Sequence, residues 1–143
     1  MNIREMTIDD YEDVIELFKQ TPGITLREAD SKPMVKNYLT RNPKLNFIAQ
    51  EDDVTIGCVM CGYDGRRGYL QHLVVHPSFR KKGIGEMLFT QCIESLAKIG
   101  IEKTHIFVLK DNEIANLFWK NKRWKVRDDL NMYSYNSSSN NNI

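Results

Sequence analysis

A short basic segment with two glycines has the residue types needed to hold a phosphate group. Arg80-Lys-Lys-Gly-Ile-Gly85 follows an apolar stretch that ends at Val75, and a helical pattern begins at its end. Glycines let the backbone approach a ligand closely, and the first amides of a helix, at the positive end of its dipole, attract an anion. Arg80, Lys81 and Lys82 add positive charge, so the segment is suited to a pyrophosphate.

This segment matches neither of the two common nucleotide-binding patterns. A Walker loop needs Gly-Lys-Ser/Thr, and a dinucleotide fingerprint needs a third glycine and an acidic residue at the end of the next strand. The sequence has none of these features here. It therefore indicates a pyrophosphate ligand other than ATP or NAD. For a Gly-x-Gly taken alone, the alternative is a helix that simply begins after a loop of solvated lysines.

The elements that must position this segment alternate between strand and helix patterns. Predicted strands span residues 2–6, 47–49, 55–61, 69–75 and 104–109, with two closing strands at 124–126 and 131–135. Predicted helices span about residues 8–20, 31–40, 85–98 and 112–121. Thr7 and Asp10 have the form of a capping box at the start of the first helix. The order of elements indicates an α+β fold in which helices flank a mixed, largely antiparallel sheet.

Length and composition indicate one compact domain. A chain of 143 residues, 41% of them hydrophobic, can bury a core without metal or disulfide staples. We assign residues 1–136 to this domain and residues 137–143, which are almost entirely polar, to a disordered tail. The balance of 20 basic and 19 acidic residues argues against a nucleic acid or an anionic membrane as partner. Three cysteines and the lack of a signal-like or membrane-spanning segment predict a cytoplasmic protein.

Two motifs in the sequence resemble those of the GCN5-related N-acetyltransferase (GNAT) family. Arg80-Lys-Lys-Gly-Ile-Gly85 matches the family's Gln/Arg-x-x-Gly-x-Gly/Ala motif and follows Leu73-Val-Val-His-Pro77, which matches Leu-x-Val-x-Pro. Asn112-Glu-Ile-Ala-Asn-Leu-Phe-Trp-Lys-Asn-Lys-Arg-Trp124 is similar to Asn-x-x-Ala-x-x-Phe-Tyr-x-x-x-Gly-Phe. Two motifs in the family's order and spacing argue against a chance match. The resemblance extends over about residues 3–135.

The resemblance implies an N-acetyltransferase that uses acetyl-CoA as donor and a primary amine of a small molecule, peptide or protein as acceptor. It also implies that the strands at residues 69–75 and 104–109 splay apart, with the pantetheine chain of CoA between them like an added strand. No metal is implied. Because family members often dimerise, a homodimer is a further expectation.

The resemblance also implies which residues hold CoA. The backbone along Leu73, Val74 and Val75 would bind the pantetheine amides, and an amide near Val75 would face the thioester carbonyl. The pyrophosphate would bind the segment formed by Arg80, Lys81, Lys82, Gly83, Ile84, Gly85 and Glu86. Residues of the second motif would line the pantetheine arm and the CoA side, namely Asn112, Ala115 and Phe118.

The usual acid of the family is absent from this sequence. Many members carry a tyrosine directly after the phenylalanine of the second motif, but this chain has Trp119 there, and an indole N–H is not a usable acid. Tyr69, Tyr133 and Tyr135 are candidate replacements. Water is the alternative source of a proton for the leaving thiolate.

A base is equally hard to assign. Simple strand alternation places Tyr69, Gln71 and Leu73 on one face of the sheet and His72 on the other. Family members with a base on this strand carry it on the first face, where Gln71 can only orient a water, so we expect a structural role for His72. A site without a strong base suits an α-amino group, whose ordinary pKa of about 7.7–8 leaves it partly neutral. The alternative is a water relay from a loop carboxylate, with Glu28, Asp30 and Asp64 as candidates.

Two functions of different classes remain open from the sequence. One is an acetyltransferase, and the other is a catalytically weak acyl-CoA-binding sensor or partner module, which the missing tyrosine admits. The Cys58-x-x-Cys61 spacing does not change this choice. An offset of three within a strand points two side chains to opposite faces, so we expect neither a metal site nor a redox pair.

Overall fold

Five β-strands and four α-helices make up the chain, which the computed structural model describes over residues 1–143. The residues group into two compact units, Met1–Phe107 and Val108–Ile143. The strands are β1 Asn2–Glu5, β2 Phe47–Glu51, β3 Val54–Tyr63, β4 Gly68–Val75 and β5 Thr104–Ile106. The helices are α1 Tyr11–Lys19, α2 Lys32–Arg41, α3 Ile84–Lys98 and α4 Glu113–Asn121. None of these helices has the length and apolar character needed to cross a membrane.

The strands form one mixed sheet in the order β1-β2-β3-β4-β5. The first four strands are antiparallel neighbours, and β5 pairs parallel to β4 after the crossover through α3. A parallel neighbour requires such a crossover because a tight hairpin can only join antiparallel strands. The predicted α+β fold with a mixed, largely antiparallel sheet is confirmed.

Helices cover both faces of this sheet in the first unit. One core cluster joins α1 and α2 to the sheet through the buried side chains of Val14, Leu17, Phe18, Val35, Ile48, Cys58 and Met60. On the opposite face α3 approaches the strands so closely that a Cβ added at Gly57 would lie 3.1 Å from Leu88. A Cβ added at Gly68 would lie 2.7 Å from Leu96 of the same helix. The glycines therefore permit the close packing of α3 on the sheet.

The predicted capping box precedes α1, at the 3-10 turn Ile8–Asp10, and is confirmed. The Thr7 amide donates to the Asp10 carboxylate at 2.9 Å, and the Thr7 hydroxyl accepts from the Asp9 amide at 3.3 Å. The Arg4 guanidinium donates two further bonds to Asp10, of 2.8 and 3.0 Å. Burial raises the pKa of Asp10, but the bonds from Arg4 and Thr7 outweigh it and hold that pKa below its ordinary value.

The second half of the chain departs from two predictions. The strand predicted at residues 104–109 ends at Ile106, and no strand forms at 124–126 or 131–135, so the two closing strands were wrong. Every residue from 125 to 143 is exposed, which means that the apolar side chains there meet no partner strand. Trp124 instead folds back on α4, where its ring centroid lies 4.6 Å from that of Trp119 and its amide donates to the Trp119 oxygen.

Candidate functional site

β4 contains a one-residue bulge at Gln71. Across the ladder with β3, Met60 pairs with His72, whereas the next residue, Cys61, pairs with Leu70. Gln71 is therefore the extra residue, and its side chain is exposed. Because side chains alternate with a period of two, an extra residue exchanges the faces of all positions on one side of it.

The bulge places His72 on the same face of the sheet as Tyr69. Tyr69 lies opposite Gly62, where an added Cβ would lie 2.9 Å from the hydroxyl oxygen of Tyr38 in α2. The His72 ring packs on Phe18 of α1, with 4.9 Å between ring centroids. Both side chains thus lie on the face that α1 and α2 cover. The prediction that His72 faces away from Tyr69 was wrong, because it assumed an unbroken alternation.

His72 contacts the carboxylate of Asp30, which ends the 3-10 turn Glu28–Asp30 before α2. The distance between His72 Nε2 and Asp30 Oδ1 is 3.3 Å. Asp30 Oδ2 accepts from the Arg27 amide at 2.9 Å, and the Asp30 backbone oxygen accepts from the Tyr11 hydroxyl at 2.7 Å. Burial raises the pKa of Asp30, but the bonds from His72 and Arg27 hold it below its ordinary value. A fixed carboxylate therefore faces this histidine.

The other two candidate carboxylates lie elsewhere. Asp64 accepts two 2.8 Å bonds from the amides of Arg66 and Arg67 in the turn between β3 and β4. Glu28 is exposed. Of the three loop carboxylates proposed from sequence, the structure thus brings Asp30 into contact with β4. The His72–Asp30 pair was missed from sequence because it joins β4 to a turn 42 residues earlier, and no local pattern signals such a contact.

One edge of β4 is open over its second half. Pairing between β4 and β5 includes three residue pairs, of which Leu70 and Ile106 are the last. β4 continues to Val75, whereas β5 ends at Ile106. The predicted separation of these two strands is therefore present, and it begins directly after Leu70.

Leu73 and Val75 direct their backbone polar groups toward this open edge. The His76 amide donates to the Ile56 oxygen on the β3 side at 2.8 Å. In an antiparallel ladder alternate residues bond to the same neighbour, so Leu73 and Val75 point the other way. In agreement, the Val75 oxygen accepts a 3.1 Å bond from Arg80 Nε rather than from β3.

The turn after β4 leads into a helix whose first amides have no side-chain cap. Gly83 is the N-cap residue of α3, and no side chain bonds to the first turn. Lys81 and Gly83 both have left-handed backbone conformations, with φ of 63° and 79°. Such turns form concave groups of backbone amides that bind anions. The basic side chains of Arg80, Lys81 and Lys82 are exposed beside them.

In the second unit, α4 begins in a different way. The Asn112 side-chain oxygen caps this helix by accepting from the Ala115 amide at 3.1 Å. Phe118 meets the Trp119 ring edge-on at 5.0 Å, and Trp119 is buried. The cap occupies one of the first amides of α4, whereas no side chain does so in α3. Contacts of Asn112, Ala115 and Phe118 with CoA stay predictions.

The remaining candidate catalytic residues differ in their surroundings. The Tyr69 ring is half-buried and lies 5.6 Å from the ring of His105 and 6.4 Å from that of Phe107. Tyr133, in the second unit, is 89% exposed. Gln71 is exposed at the bulge. Their catalytic roles stay predictions.

The cysteines form no metal site. All three are free and buried, and burial raises the pKa of the Cys58 thiol far above its ordinary value. Within residues 1–143 no three His, Cys, Asp or Glu side chains are grouped as they would be around a metal ion. Cys58 packs in the α1 and α2 core, whereas the thiol of Cys92 in α3 donates to the Leu45 oxygen.

Comparison with known sequences identifies the protein family of this chain. The sequence profile described as "Acetyltransferase (GNAT) family" matches residues 11–122. The chain belongs to the GNAT acetyltransferase family. An acetyltransferase of Pectobacterium atrosepticum is 36% identical over 133 residues, covering 92% of this chain and 93% of the relative. An acetyltransferase of Photorhabdus laumondii is 34% identical over 117 residues, covering 79% and 78%.

Solved GNAT structures share the fold of this GNAT protein. The PaiA N-acetyltransferase of Thermoplasma acidophilum, solved in complex with coenzyme A, has a TM-score of 0.80 and 25% identity, covering 89% of this chain and 91% of that one. An aminoglycoside N-acetyltransferase solved with CoA has a TM-score of 0.74 and 21% identity, covering 94% and 93%. The GNAT acetyltransferase assignment does not favour the alternative of a catalytically weak acyl-CoA-binding sensor or partner module.

Proposed function

We propose that this GNAT protein transfers the acetyl group of acetyl-CoA to a primary amine of a small molecule, peptide or protein. The observation that carries the proposal is the continuity between the open edge of β4 and the uncapped, basic start of α3. A pantetheine chain that pairs with Leu73 and Val75 as an added strand leads its pyrophosphate directly to that helix end.

The pyrophosphate is held by backbone amides between Lys81 and Glu86. Because no side chain caps α3, these amides can bind phosphate oxygens without breaking an existing cap. Arg80, Lys81 and Lys82 supply positive charge at the same position. Three residues of the second motif complete the proposed set of CoA contacts: Asn112, Ala115 and Phe118.

The reaction is a direct attack of the amine nitrogen on the thioester carbonyl carbon. A backbone amide of the open edge, near Val75, stabilises the charge that develops on the carbonyl oxygen. Gln71, at the bulge, orients a water. The proton that the leaving thiolate takes up comes from Tyr69, from Tyr133 or from water.

The test is turnover by the purified full chain. Acetyl-CoA is mixed with a panel of polyamines, aminoglycosides, amino acids and N-terminal peptides, and free thiol and acetylated product are measured by absorbance and mass spectrometry. We expect thiol release that depends on the amine. Titration of CoA by calorimetry is the control, and intact CoA binding without turnover across the panel would overturn the transferase in favour of the sensor.

We further propose that the protein acts in the cytoplasm as a homodimer. Its three free, buried thiols suit a reducing compartment, and GNAT proteins often dimerise. Sedimentation of the purified protein measures the assembly, and a single species at the mass of one chain would overturn the dimer.

A further inference from the structure

We propose that His72 is the general base of this acetyltransferase and that Asp30 positions it. The proposal rests on the proposed function and names the group that takes the proton from the acceptor amine. It follows from the position of His72, which pairs with Met60 on the face of the sheet that α1 and α2 cover.

His72 lies at the start of the open edge of β4. It directly precedes Leu73, the first residue at which the pantetheine chain is proposed to pair. Its side chain retains 24% exposure, so a substrate can reach the imidazole. The side chain projects to the α1 side, where it packs on Phe18. An amine that approaches the thioester from this face meets the imidazole.

Asp30 determines which nitrogen of His72 can act. An ionised carboxylate only accepts hydrogen bonds, so its contact with Nε2 keeps a proton on that nitrogen and leaves the lone pair on Nδ1. Asp30 is the sole hydrogen-bond partner of the His72 ring, so Nδ1 has none and is open to a substrate. A carboxylate that fixes the orientation of a histidine in this way is the arrangement of an oriented base.

Asp30 is itself held from two sides. The Arg27 amide donates to its carboxylate and the Tyr11 hydroxyl donates to its backbone oxygen. These bonds fix Asp30 in place before substrate binds, so little reorganisation is needed in the reaction. The lowered pKa of Asp30 agrees with a carboxylate that stays ionised near neutral pH.

The acceptor enters as an ammonium ion and gives one proton to His72 Nδ1. Its nitrogen lone pair then forms the bond to the thioester carbon, and the C–S bond breaks with its electron pair on sulfur. The second proton leaves the nitrogen for water, and water supplies the proton that the thiolate takes up. His72 returns its proton to solvent, so the products are the amide, CoA thiol and one proton.

The experiment compares three single variants with the wild-type full chain, using an amine identified by the turnover panel. His72→Gln removes the base but keeps a polar side chain, and Asp30→Asn removes the charge of the positioning carboxylate. Asp13→Asn, an exposed aspartate on α1, is the matched control. Steady-state kinetics give kcat and KM for the amine, and calorimetry gives the Kd for CoA.

We expect His72→Gln to lower kcat about 100-fold or more, because a general base contributes on the order of 10²- to 10⁴-fold. The amine KM and the CoA Kd should stay within about twofold, and Asp13→Asn should match the wild type. Asp30→Asn should lower kcat about tenfold. The double variant should be no slower than His72→Gln, since Asp30 acts through His72.

Chemical rescue separates a base from a merely structural histidine. In His72→Ala, added imidazole and its methyl derivatives should restore turnover at rates that rise with the pKa of the added base. Unchanged kcat in His72→Gln, or loss of CoA binding together with activity, would overturn the base while leaving the acetyltransferase intact. Absence of turnover by the wild type overturns the proposed function instead, and the base proposal with it.

Discussion

Arg80 Nε donates a 3.1 Å hydrogen bond to the backbone oxygen of Val75, five residues earlier in the chain. Val75 ends β4, and its oxygen lies at the open edge where we propose that pantetheine pairs. The same guanidinium belongs to the basic turn proposed to hold the pyrophosphate. One side chain therefore joins the two halves of the proposed CoA site, and on this proposal CoA binding would exchange the internal bond for contacts with the ligand.

Arg80→Ala is expected to weaken CoA binding about tenfold. Loss of a hydrogen bond to a charged group costs roughly 1.5–3 kcal/mol, part of which is recovered because the Val75 oxygen becomes free for the pantetheine amide. Calorimetric titration of CoA measures the change. Arg66→Ala, at an exposed arginine in the β3–β4 turn, is the control and should bind like the wild type. Equal Kd values for both variants would contradict the assignment.

Gly83→Ala is expected to lower stability slightly and CoA affinity strongly. A left-handed backbone costs a residue with a Cβ about 1–2 kcal/mol, and relaxation of φ moves the amides at the start of α3. The added Cβ meets no protein atom within 4 Å, so it projects into open space, where we propose that the pyrophosphate binds. We expect at least about tenfold weaker CoA binding by calorimetry.

Gly65→Ala is the matched control for this position. Gly65 also has a left-handed backbone, with φ of 96°, and also has no atom within 4 Å of an added Cβ, but it lies in the β3–β4 turn. Urea unfolding should show a similar loss of stability for both variants, while CoA affinity should fall only for Gly83→Ala. A parallel loss of affinity would show that the effect is one of folding.

Tyr69→Phe and Tyr133→Phe test the source of the proton for the thiolate. If a tyrosine supplies this proton, removing its hydroxyl should lower kcat about 100-fold. Tyr133 is almost fully exposed, so water surrounds its hydroxyl. We therefore expect water to supply the proton and both variants to keep kcat within about threefold of the wild type in the thiol-release assay.

Asp10→Asn is expected to destabilise the protein by about 1–2 kcal/mol at pH 7, because the carboxylate accepts charge-assisted bonds from Arg4 and a bond from Thr7. The pKa of Asp10 is lower in the folded than in the unfolded chain. Its contribution is thus fully present above the unfolded value of about 3.9 and is lost as pH falls through the folded value.

Urea unfolding at a series of pH values measures this difference. The difference in free energy of unfolding between the wild type and Asp10→Asn should narrow as the solution is acidified below about pH 4. Asp9→Asn, at the exposed neighbouring aspartate, should have the same free energy of unfolding as the wild type at every pH. If the difference between the wild type and Asp10→Asn stays constant down to low pH, the charge of Asp10 does not contribute to stability.

Much of the fold could be predicted because its signals are local. The helical pattern at residues 85–98 corresponds to α3 at Ile84–Lys98, and the strand at 69–75 to β4 at Gly68–Val75. The closing strands could not be predicted reliably, since alternating apolar residues do not reveal whether a partner strand lies beside them. The exposed side chains of Val126 and Met132 show that none does.

The candidate site was predictable only where one segment of chain forms it. The basic turn and the start of α3 are contiguous, so their motif identified the anion site directly. The His72–Asp30 contact joins residues 42 positions apart. No local pattern signals such a contact. The extra residue in β4, which only the pairing with β3 defines, explains why alternation alone placed His72 and Tyr69 on different faces.

The bulge also determines how sequences of relatives should be aligned in this region. When a relative lacks the extra residue, an alignment anchored at Leu73-Val-Val-His-Pro77 and one anchored at Gly68 are offset by one residue. The gap that reconciles them falls at Gln71. In a relative whose β4 has no extra residue, the position one before that of His72 would not face α1. Without Gln71 the pairs Met60–His72 and Cys61–Leu70 would simply become consecutive. A relative can therefore gain or lose this residue without changing either the side chains that β4 presents to α1 or the CoA motif.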